Sequence, residues 1–197
     1  IGMPTSIAAL IVTLQPILTN ILSGPILNEK VTLKQWIGVL LGFLGATLVL
    51  GLDLGSKIPL LGLVATLIAL ISITASTIWQ KRLSNNLPLS VSNFYQAVGG
   101  CFFHIIVVIF FAKPYIAFTK TFLFSMGHQI FLVSFGAFTI LMFLIKKNSA
   151  SKTVSIFFLI PATSALMAWF FLKESLTAID LLGFLITSIG VYIATRD

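Results

Sequence analysis

Two stretches of this chain carry the same pattern of residues, the second 145 positions after the first, as Pro16 and Pro161 show. The pattern recurs without insertion or deletion. In an apolar sequence, leucines match leucines by chance at many offsets. A proline, an acid, a threonine and two glycines do not all match at the same offset by chance. An internal repeat therefore constrains the architecture before any single residue is interpreted. The pairs are Ser6/Ser151, Pro16/Pro161, Leu27/Leu172, Glu29/Glu174, Thr32/Thr177, Gly38/Gly183 and Gly45/Gly190.

The repeat lies in a chain that is too apolar for water. The 197 residues are 58% hydrophobic and 9% charged, with a mean hydropathy of +1.10. A soluble domain has about 25% charged residues, so this chain cannot cover itself with polar surface. Its solvent must be the lipid bilayer, in which runs of roughly 20 apolar residues become spanning helices. In a membrane protein, the net charge of +7 indicates how the chain is oriented across the bilayer and that it can contact anionic headgroups. A nucleic-acid partner is not expected.

Seven apolar runs predict an all-α integral membrane protein with seven transmembrane helices, of which the fifth is marginally short. Thr32 and Thr177 each have the spacing of a helix-capping box. The connector Lys113–His128 is amphipathic and is expected to lie in the membrane interface. The runs cover about Pro4–Leu27, Leu33–Leu52, Leu60–Gln80, Val91–Ala112, Gln129–Ile145, Lys152–Leu172 and Ile179–Ala194.

The positions of Lys and Arg predict the orientation, because positive residues favour the cytoplasmic side. Eight of the 12 lie in the odd-numbered connectors or at the C-terminus, and four lie in the even-numbered connectors. The C-terminus is therefore predicted in the cytoplasm. The first helix then enters from outside and the sixth from inside, so the two copies of the repeat are inverted. Inverted repeats are typical of secondary transporters, whose halves rock about a central site.

Both copies resemble the ends of the repeats of the EamA family, in the drug/metabolite transporter superfamily. The matching segments read SIAALIVTLQPILTNILSGPILNEKVTLKQWIGVLLGFLGATLVL and SASKTVSIFFLIPATSALMAWFFLKESLTAIDLLGFLITSIGVYIA. A third segment of this chain, GLVATLIALISITASTIWQKRL, resembles the opening span of a second EamA repeat. The resemblance implies a ten-helix protein of two inverted five-helix halves. Residues 1–54 would end the first repeat with two spans, residues 55–197 would form the second, and about three N-terminal helices would be absent.

The function implied by the resemblance is secondary active transport by alternating access. The expected activity is export of a small metabolite, such as an amino acid or a related compound, or of a toxic organic cation, across a bacterial inner membrane. Uptake of a nucleotide-derived metabolite and a non-transporting membrane scaffold remain alternatives. The expected partners are the small-molecule substrate, the lipid bilayer and a second copy of the chain, in a homodimer through the glycine-rich spans.

Candidate pathway residues lie first in the two repeated helices. Each mid-membrane proline frees a carbonyl about four residues earlier, and polar groups at that depth must face protein or water. The alternatives are a packing kink and hydrogen bonds between helices. Aromatic Phe158 is a further candidate for the pathway. The candidates are Gln15, Pro16, Thr19 and Asn20 in the first helix, and Phe158, Pro161 and Ser164 in the sixth.

Further candidates lie in the third, fourth and fifth helices. Ser72, Ser76 and Trp79 share one helical face, although a tryptophan there is also typical of the interfacial belt. Gln96 and His104 are polar groups in the fourth helix, and Phe138 is an aromatic residue in the fifth. His104 could carry a proton, or it could be neutral and bonded to a neighbouring carbonyl.

Glu29 and Glu174 end their helices and are expected to close the following turn or to act as gates. Gly38, Gly42 and Gly45 form a smooth face with GxxxG spacing, which favours close packing within the repeat or between two copies of the chain.

The sequence also argues against catalysis. All five acids lie in connectors or at helix ends, and Cys101 is the one cysteine. No HExxH motif, nucleophile elbow or phosphate-binding loop is present. We therefore expect no enzyme activity, no catalytic residues, no cofactor and no metal site.

Overall fold

The computed structural model describes residues 3–51, 58–84, 87–111, 115–173 and 175–196. Every regular element in these ranges is helical, and seven helices are long and apolar enough to cross a membrane. Their lengths of 18 to 28 residues suit a hydrocarbon layer of about 30 Å at about 1.5 Å per residue. The first to seventh spans are Thr5–Leu27, Leu33–Leu50, Leu60–Leu83, Leu89–Phe111, Lys120–Lys147, Ala150–Phe171 and Ala178–Thr195.

The seven predicted spans are confirmed, and the largest difference is at the start of the fifth. This span begins at Lys120 rather than Gln129, so the predicted connector is shorter than expected. Thr119 explains the earlier start, because its hydroxyl accepts a hydrogen bond from the Phe122 amide at 3.1 Å and caps the helix. The predicted ends at Leu52 and Ala112 lie outside the described residues.

The two predicted capping boxes are both present. Thr32 Oγ1 accepts from the Gln35 amide at 3.3 Å, and the Thr32 amide donates to Gln35 Oε1 at 2.7 Å. In the second copy, Thr177 Oγ1 accepts from the Asp180 amide at 3.2 Å, and the Thr177 amide donates to Asp180 Oδ2 at 2.8 Å. The repeat therefore starts the second and seventh spans with the same local structure.

The chain divides into two compact units. Unit 1 comprises Ile1–Trp79 and Asn148–Asp197, and unit 2 comprises Gln80–Lys147. Unit 1 therefore contains both copies of the repeat, and the division falls inside the third span.

Glycines bring the backbones of the second and seventh spans into direct contact in unit 1. A Cβ added to Gly38 would lie 2.6 Å from the Gly190 oxygen and 2.4 Å from the Ala194 nitrogen. A Cβ added to Gly45 would lie 2.6 Å from the Gly183 oxygen. The obstructing atoms belong to the backbone, so they cannot turn aside as a side chain would. The GxxxG face thus packs against its own repeat copy within one chain.

This contact is antiparallel and nearly self-complementary. Gly38 meets the later end of the seventh span, at Gly190, whereas Gly45 meets the earlier part, at Gly183. Under the repeat, Gly38 corresponds to Gly183 and Gly190 corresponds to Gly45, so the equivalent of the first contact is a Cβ on Gly183 against the Gly45 oxygen. That contact is also present, at 2.8 Å. The two copies of the glycine-rich helix are therefore related by an approximate two-fold axis.

The core of unit 1 forms around this contact. Phe158 is fully buried and packs with Val39, Ala46 and Val191. A Cβ on Gly42 would lie 2.6 Å from the Phe158 ring, so the glycine provides the space that the ring occupies. Phe158 accordingly packs in the core of unit 1, and its role in the pathway stays a prediction.

Unit 2 is tied together by polar groups at the connector ends of its helices. Lys81 Nζ donates to the Ile145 carbonyl at 2.9 Å, and Lys146 Nζ donates to the Leu87 carbonyl at 3.4 Å. Lys81 thereby provides a donor for a carbonyl in the last turn of the fifth span, which has no intrahelical partner.

Candidate functional site

Unit 1 contains an open cavity of about 670 Å³. It lies between the earlier half of the first span, the later half of the sixth span and the end of the second. Four predicted pathway residues line it, namely Gln15, Pro16, Pro161 and Ser164. The wall as a whole consists of Thr5, Ser6, Ala9, Val12, Thr13, Gln15, Pro16, Val49, Leu50, Ile73, Phe157, Ile160, Pro161, Ser164 and Ala165.

The two repeat prolines interrupt their helices beside this cavity. The first span is divided into the helices Thr5–Val12 and Gln15–Leu27, with Pro16 in the first turn of the second. The sixth span tightens into a 3₁₀ turn at Ile156–Phe158 shortly before Pro161. Proline has no amide hydrogen, so the helical bonds to the oxygens of residues 12 and 157 cannot form. Residues 12 and 157 both line the cavity. The Phe157 carbonyl accepts from the Leu159 amide in the tightened turn, so Val12 is the residue whose carbonyl loses its helical partner to the proline beside the cavity.

Gln15 is the polar side chain at the inner end of the cavity. It is 2% exposed, and its Nε2 donates to Thr77 Oγ1 at 3.1 Å. Thr77 in turn donates to the Ile73 carbonyl of its own helix at 2.9 Å. This chain of hydrogen bonds fixes the Gln15 amide and leaves its Oε1 as an acceptor.

The third span contributes a different face from the predicted one. Ser72, Ser76 and Trp79 are exposed, with Trp79 at 61%, and none of them lines the cavity. Ile73 and Thr77 are the residues that reach it or contact Gln15. Burial of Thr74, at 1%, marks the same inward face. The sequence signal for this face is the pair Thr74 and Thr77, three residues apart on one side of the helix.

Thr19 and Asn20 lie further along the first span, beyond the cavity wall. Both are buried, at 0% and 2% exposure. Asn20 Oδ1 accepts a hydrogen bond from the hydroxyl of Ser151, at the start of the sixth span. Within the described residues, Thr19 Oγ1 and Asn20 Nδ2 have no hydrogen-bond partner.

Glu29 joins the same end of the two repeated helices. Its Oε1 accepts from the Ala150 amide at 2.8 Å, and its Oε2 accepts from the Ser151 amide at 3.4 Å. The carboxylate therefore caps the start of the sixth span, where it also meets the positive end of the helix dipole. Its repeat equivalent, Glu174, lies outside the described residues.

The remaining predicted residues lie in unit 2. Gln96 donates to Gln80 Oε1, and Gln80 is also bonded to Ser92 at 3.1 Å. Gln96 and Phe138 line a second cavity, of about 830 Å³. His104 is exposed, and its Nδ1 lies 2.7 Å from the Gly100 carbonyl of its own helix, so the expected contact with a neighbouring carbonyl is present.

The described walls of both cavities are neutral. Among the residues that the structure describes, no Asp, Glu, Lys, Arg or His lines either cavity. Within the described ranges, no group of three or more His, Cys, Asp or Glu residues is placed to hold a metal ion. Hydroxyls, amides, freed carbonyls and aromatic rings are therefore the groups that the two cavities offer to a ligand.

Comparison with known proteins gives the same family for both copies. The sequence profile of the EamA-like transporter family matches residues 2–51 and 60–196. The chain is 28% identical over 195 residues to the "Uncharacterized transporter YvbV" of Bacillus subtilis (strain 168), an alignment that covers 93% of this chain and 61% of that protein. The chain thus spans less than two thirds of the length of this relative.

A solved structure shares the fold. It is described as "Crystal structure of protein", and it superposes with a TM-score of 0.81 at 18% sequence identity, over 98% of this chain and 67% of that chain. The profile covers nearly the whole sequence, and seven helices are suited to the bilayer. The chain is a multi-pass integral membrane protein, and it belongs to the EamA-like transporter family.

Proposed function

We propose that the unit 1 cavity is a substrate pathway, and that the protein is a secondary active transporter that exports a small metabolite such as an amino acid or a related compound. The cavity carries this proposal. Both copies of the repeat contribute to its wall at equivalent positions, Pro16 with Pro161 and Val12 with Phe157. A pathway shared by two inverted copies and bordered by broken helices is the arrangement found in secondary transporters.

Alternating access follows from the two-fold relation between the copies. The antiparallel contact of the second and seventh spans joins the copies through glycine backbones. Two related halves can exchange conformations about such an axis, so that a cavity open at one end becomes open at the other. We propose that the full arrangement is a ten-helix protein of two five-helix repeats, with residues 1–54 in the first and 55–197 in the second.

The neutral wall favours a substrate with no net charge. A charged group at membrane depth is costly unless an opposite charge pairs with it, and no ionisable side chain is among the described residues that line this cavity. Amides and carbonyls suit a neutral or zwitterionic molecule, including an amino acid. A nucleotide-derived anion would require Lys or Arg near its phosphate, and the described part of the wall has neither.

Orientation is proposed from the distribution of positive residues. With the C-terminus in the cytoplasm of a bacterial cell, the Thr5 end of the first span faces outside. The cavity then opens away from the cytoplasm, and Glu29 lies at the cytoplasmic end. Release of an exported substrate would occur from this state.

The proposal is tested by counterflow with the full-length protein in proteoliposomes. Vesicles are loaded with one compound at a time from a panel of neutral, zwitterionic, cationic and phosphorylated metabolites. We expect accumulation of labelled substrate only with loaded neutral or zwitterionic compounds. Absence of counterflow across the whole panel would contradict a transporter, and counterflow with phosphorylated compounds alone would contradict the assigned substrate class.

A further inference from the structure

The two ends of unit 1 differ, although the repeat makes them equivalent in sequence position. At one end, Asn20 and Ser151 are hydrogen-bonded. The repeat offset pairs Asn20 with Ala165 and Ser151 with Ser6. An identical contact at the other end would therefore join Ser6 to residue 165, where alanine has no polar side chain.

The end that contains Asn20 is closed. Asn20 and Ser151 are 2% and 1% exposed, and Ala150 is fully buried. The Glu29 carboxylate adds hydrogen bonds to the amides of Ala150 and Ser151, at 2.8 Å and 3.4 Å. The first and sixth spans are thus joined here by one contact between side chains and by one carboxylate cap.

The equivalent end is open. Ser6 and Ala165 both line the cavity instead of contacting each other through a hydrogen bond. Ala9, which is the repeat equivalent of Val154, also lines the cavity, whereas Val154 is fully buried. The same pair of helices is therefore separated at one end and packed at the other.

We propose that Asn20, Ser151 and Glu29 form a latch that holds this end of the pathway shut, and that alanine at position 165 biases the resting protein towards the state open at the Ser6 end. The proposal deepens the proposed function, because it concerns the conformational control of the same cavity. Alternating access requires the latch to open when the Ser6 end closes. Because the first copy has Asn20 where the second has Ala165, closing the latch end gains a side-chain hydrogen bond that closing the Ser6 end does not.

The physical basis is the cost of separating buried polar groups. Opening the latch exposes the Asn20 amide, the Ser151 hydroxyl and two backbone amides at once, and each loses its partner unless water replaces it. Closing the Ser6 end gains no matching bond between side chains at position 165. The equilibrium therefore favours the observed state, and side-chain changes at the two positions should shift it in opposite directions.

The test measures which end is accessible, using cysteines at repeat-equivalent positions in the full-length protein. Cys101→Ser removes the native thiol, and Ala9→Cys and Val154→Cys are then introduced separately. Labelling with a small, membrane-impermeant thiol reagent is followed in proteoliposomes permeabilised to give access from both sides. In the parent protein we expect rapid labelling at position 9 and protection at position 154.

The latch variants should change these rates in opposite directions. Asn20→Ala should raise the labelling rate at position 154 by about fivefold or more, the population change that loss of one buried hydrogen bond produces. Ala165→Asn should lower the rate at position 9, because it supplies the missing partner for Ser6. Ser23→Ala is the matched control, since Ser23 is fully buried in the same helix and its hydroxyl donates only to the Asn20 carbonyl.

The outcomes separate the latch from a merely structural contact. If Asn20→Ala and Ser23→Ala raise labelling at position 154 equally, the helix end has loosened and the latch is wrong. Unchanged labelling with Asn20→Ala also contradicts it. Glu29→Gln gives a second measurement at the same end, and it should likewise raise labelling at position 154. The assay needs no substrate, so the latch can be upheld even if counterflow fails, and counterflow can succeed with the latch disproved.

Discussion

Gln15 shows how one side chain can serve both packing and a pathway. It has 2% exposure, lines the cavity and donates to Thr77 at 3.1 Å. A buried amide in a membrane protein needs a partner, and here the partner lies on another helix. The bond holds the amide in one orientation, with the carbonyl oxygen free to accept from a substrate.

Replacement of Gln15 by alanine is expected to impair transport more than folding. Loss of a substrate contact and of its orienting bond should lower kcat/KM by about tenfold, equivalent to about 1.4 kcal/mol. The measurement is initial-rate counterflow at several substrate concentrations. The control is Ser188→Ala, because the Ser188 hydroxyl donates to the Phe184 carbonyl of its own helix at 2.8 Å. An equal loss of kcat/KM in both variants would show that Gln15 is not a pathway residue.

The caps of the second and seventh spans give a second prediction for single residues. Thr32 and Thr177 each accept from the amide three residues later, at 3.3 Å and 3.2 Å. Thr32→Ala and Thr177→Ala should each cost about 1 kcal/mol of stability, since each leaves a helix-end amide without its acceptor. Thermal unfolding in detergent would measure both. A large loss for one variant and none for the other would show that the two copies do not use the cap alike.

At the level of helices, the glycine-rich contact is the least tolerant place for an added methyl group. A Cβ on Gly38 would meet the Ala194 nitrogen at 2.4 Å, whereas nothing lies within 4 Å of a Cβ on Gly99. Gly38→Ala should therefore destabilise the fold by about 1–3 kcal/mol through overpacking. Gly99→Ala should be neutral or stabilising by up to about 1 kcal/mol, because alanine favours the helix.

Comparing Gly38→Ala with Gly99→Ala separates the effect of packing from that of helix propensity, because both variants gain propensity but only Gly38→Ala adds a methyl group to a tight contact. The melting temperature of each purified variant is the measurement, with the unmodified protein alongside. A higher melting temperature for Gly38→Ala would show that the second and seventh spans do not pack as described. A homodimer through these spans stays a prediction, and these glycines already serve a contact within one chain.

Sequence reasoning succeeded where the pattern is local or repeated. Hydrophobic runs predicted the seven spans, and the spacing from Thr32 to Gln35 predicted a capping box. Hydropathy alone does not reveal the start of the fifth span, because the cap at Thr119 begins the helix within a segment that has the polarity of a connector. Nor does the sequence show that the Phe158 ring packs against Gly42 in the core, and a role for Phe158 in the pathway stays a prediction.

The inward face of the third span shows why site prediction was harder than span prediction. Serines and threonines occur on several sides of this helix, and in lipid each hydroxyl can bond to its own backbone, as Thr74 does to the Leu70 carbonyl at 2.8 Å. Polarity alone therefore does not identify the face that contacts another helix. The long-range bond from Gln15 to Thr77 decides it, and such a bond is visible only in three dimensions.

At the scale of the whole molecule, the proposed mechanism depends on the membrane orientation of the two copies. The antiparallel contact of the second and seventh spans shows that one helix of the repeat is reversed between copies. Reversal of the entire repeat would place equivalent loops on opposite sides of the bilayer. The loop that contains Glu29 and Lys30 would face the cytoplasm, and the loop at Lys173 would face outside.

Reporter cysteines beside Lys30 and Lys173 test this placement in intact cells. In a background with Cys101→Ser, we insert one cysteine directly after each of these lysines and apply a thiol reagent that does not cross the membrane; Lys30 lies in the connector before the capping box, so the second span is left intact. The insertion after Lys173 should react in intact cells, whereas the insertion after Lys30 should react only after permeabilisation. An odd number of spans separates the two loops, so the result cannot depend on small errors in the span boundaries. Labelling of both sites from the same side would exclude inverted copies, and the rocking of two halves about the unit 1 cavity would lose its structural basis.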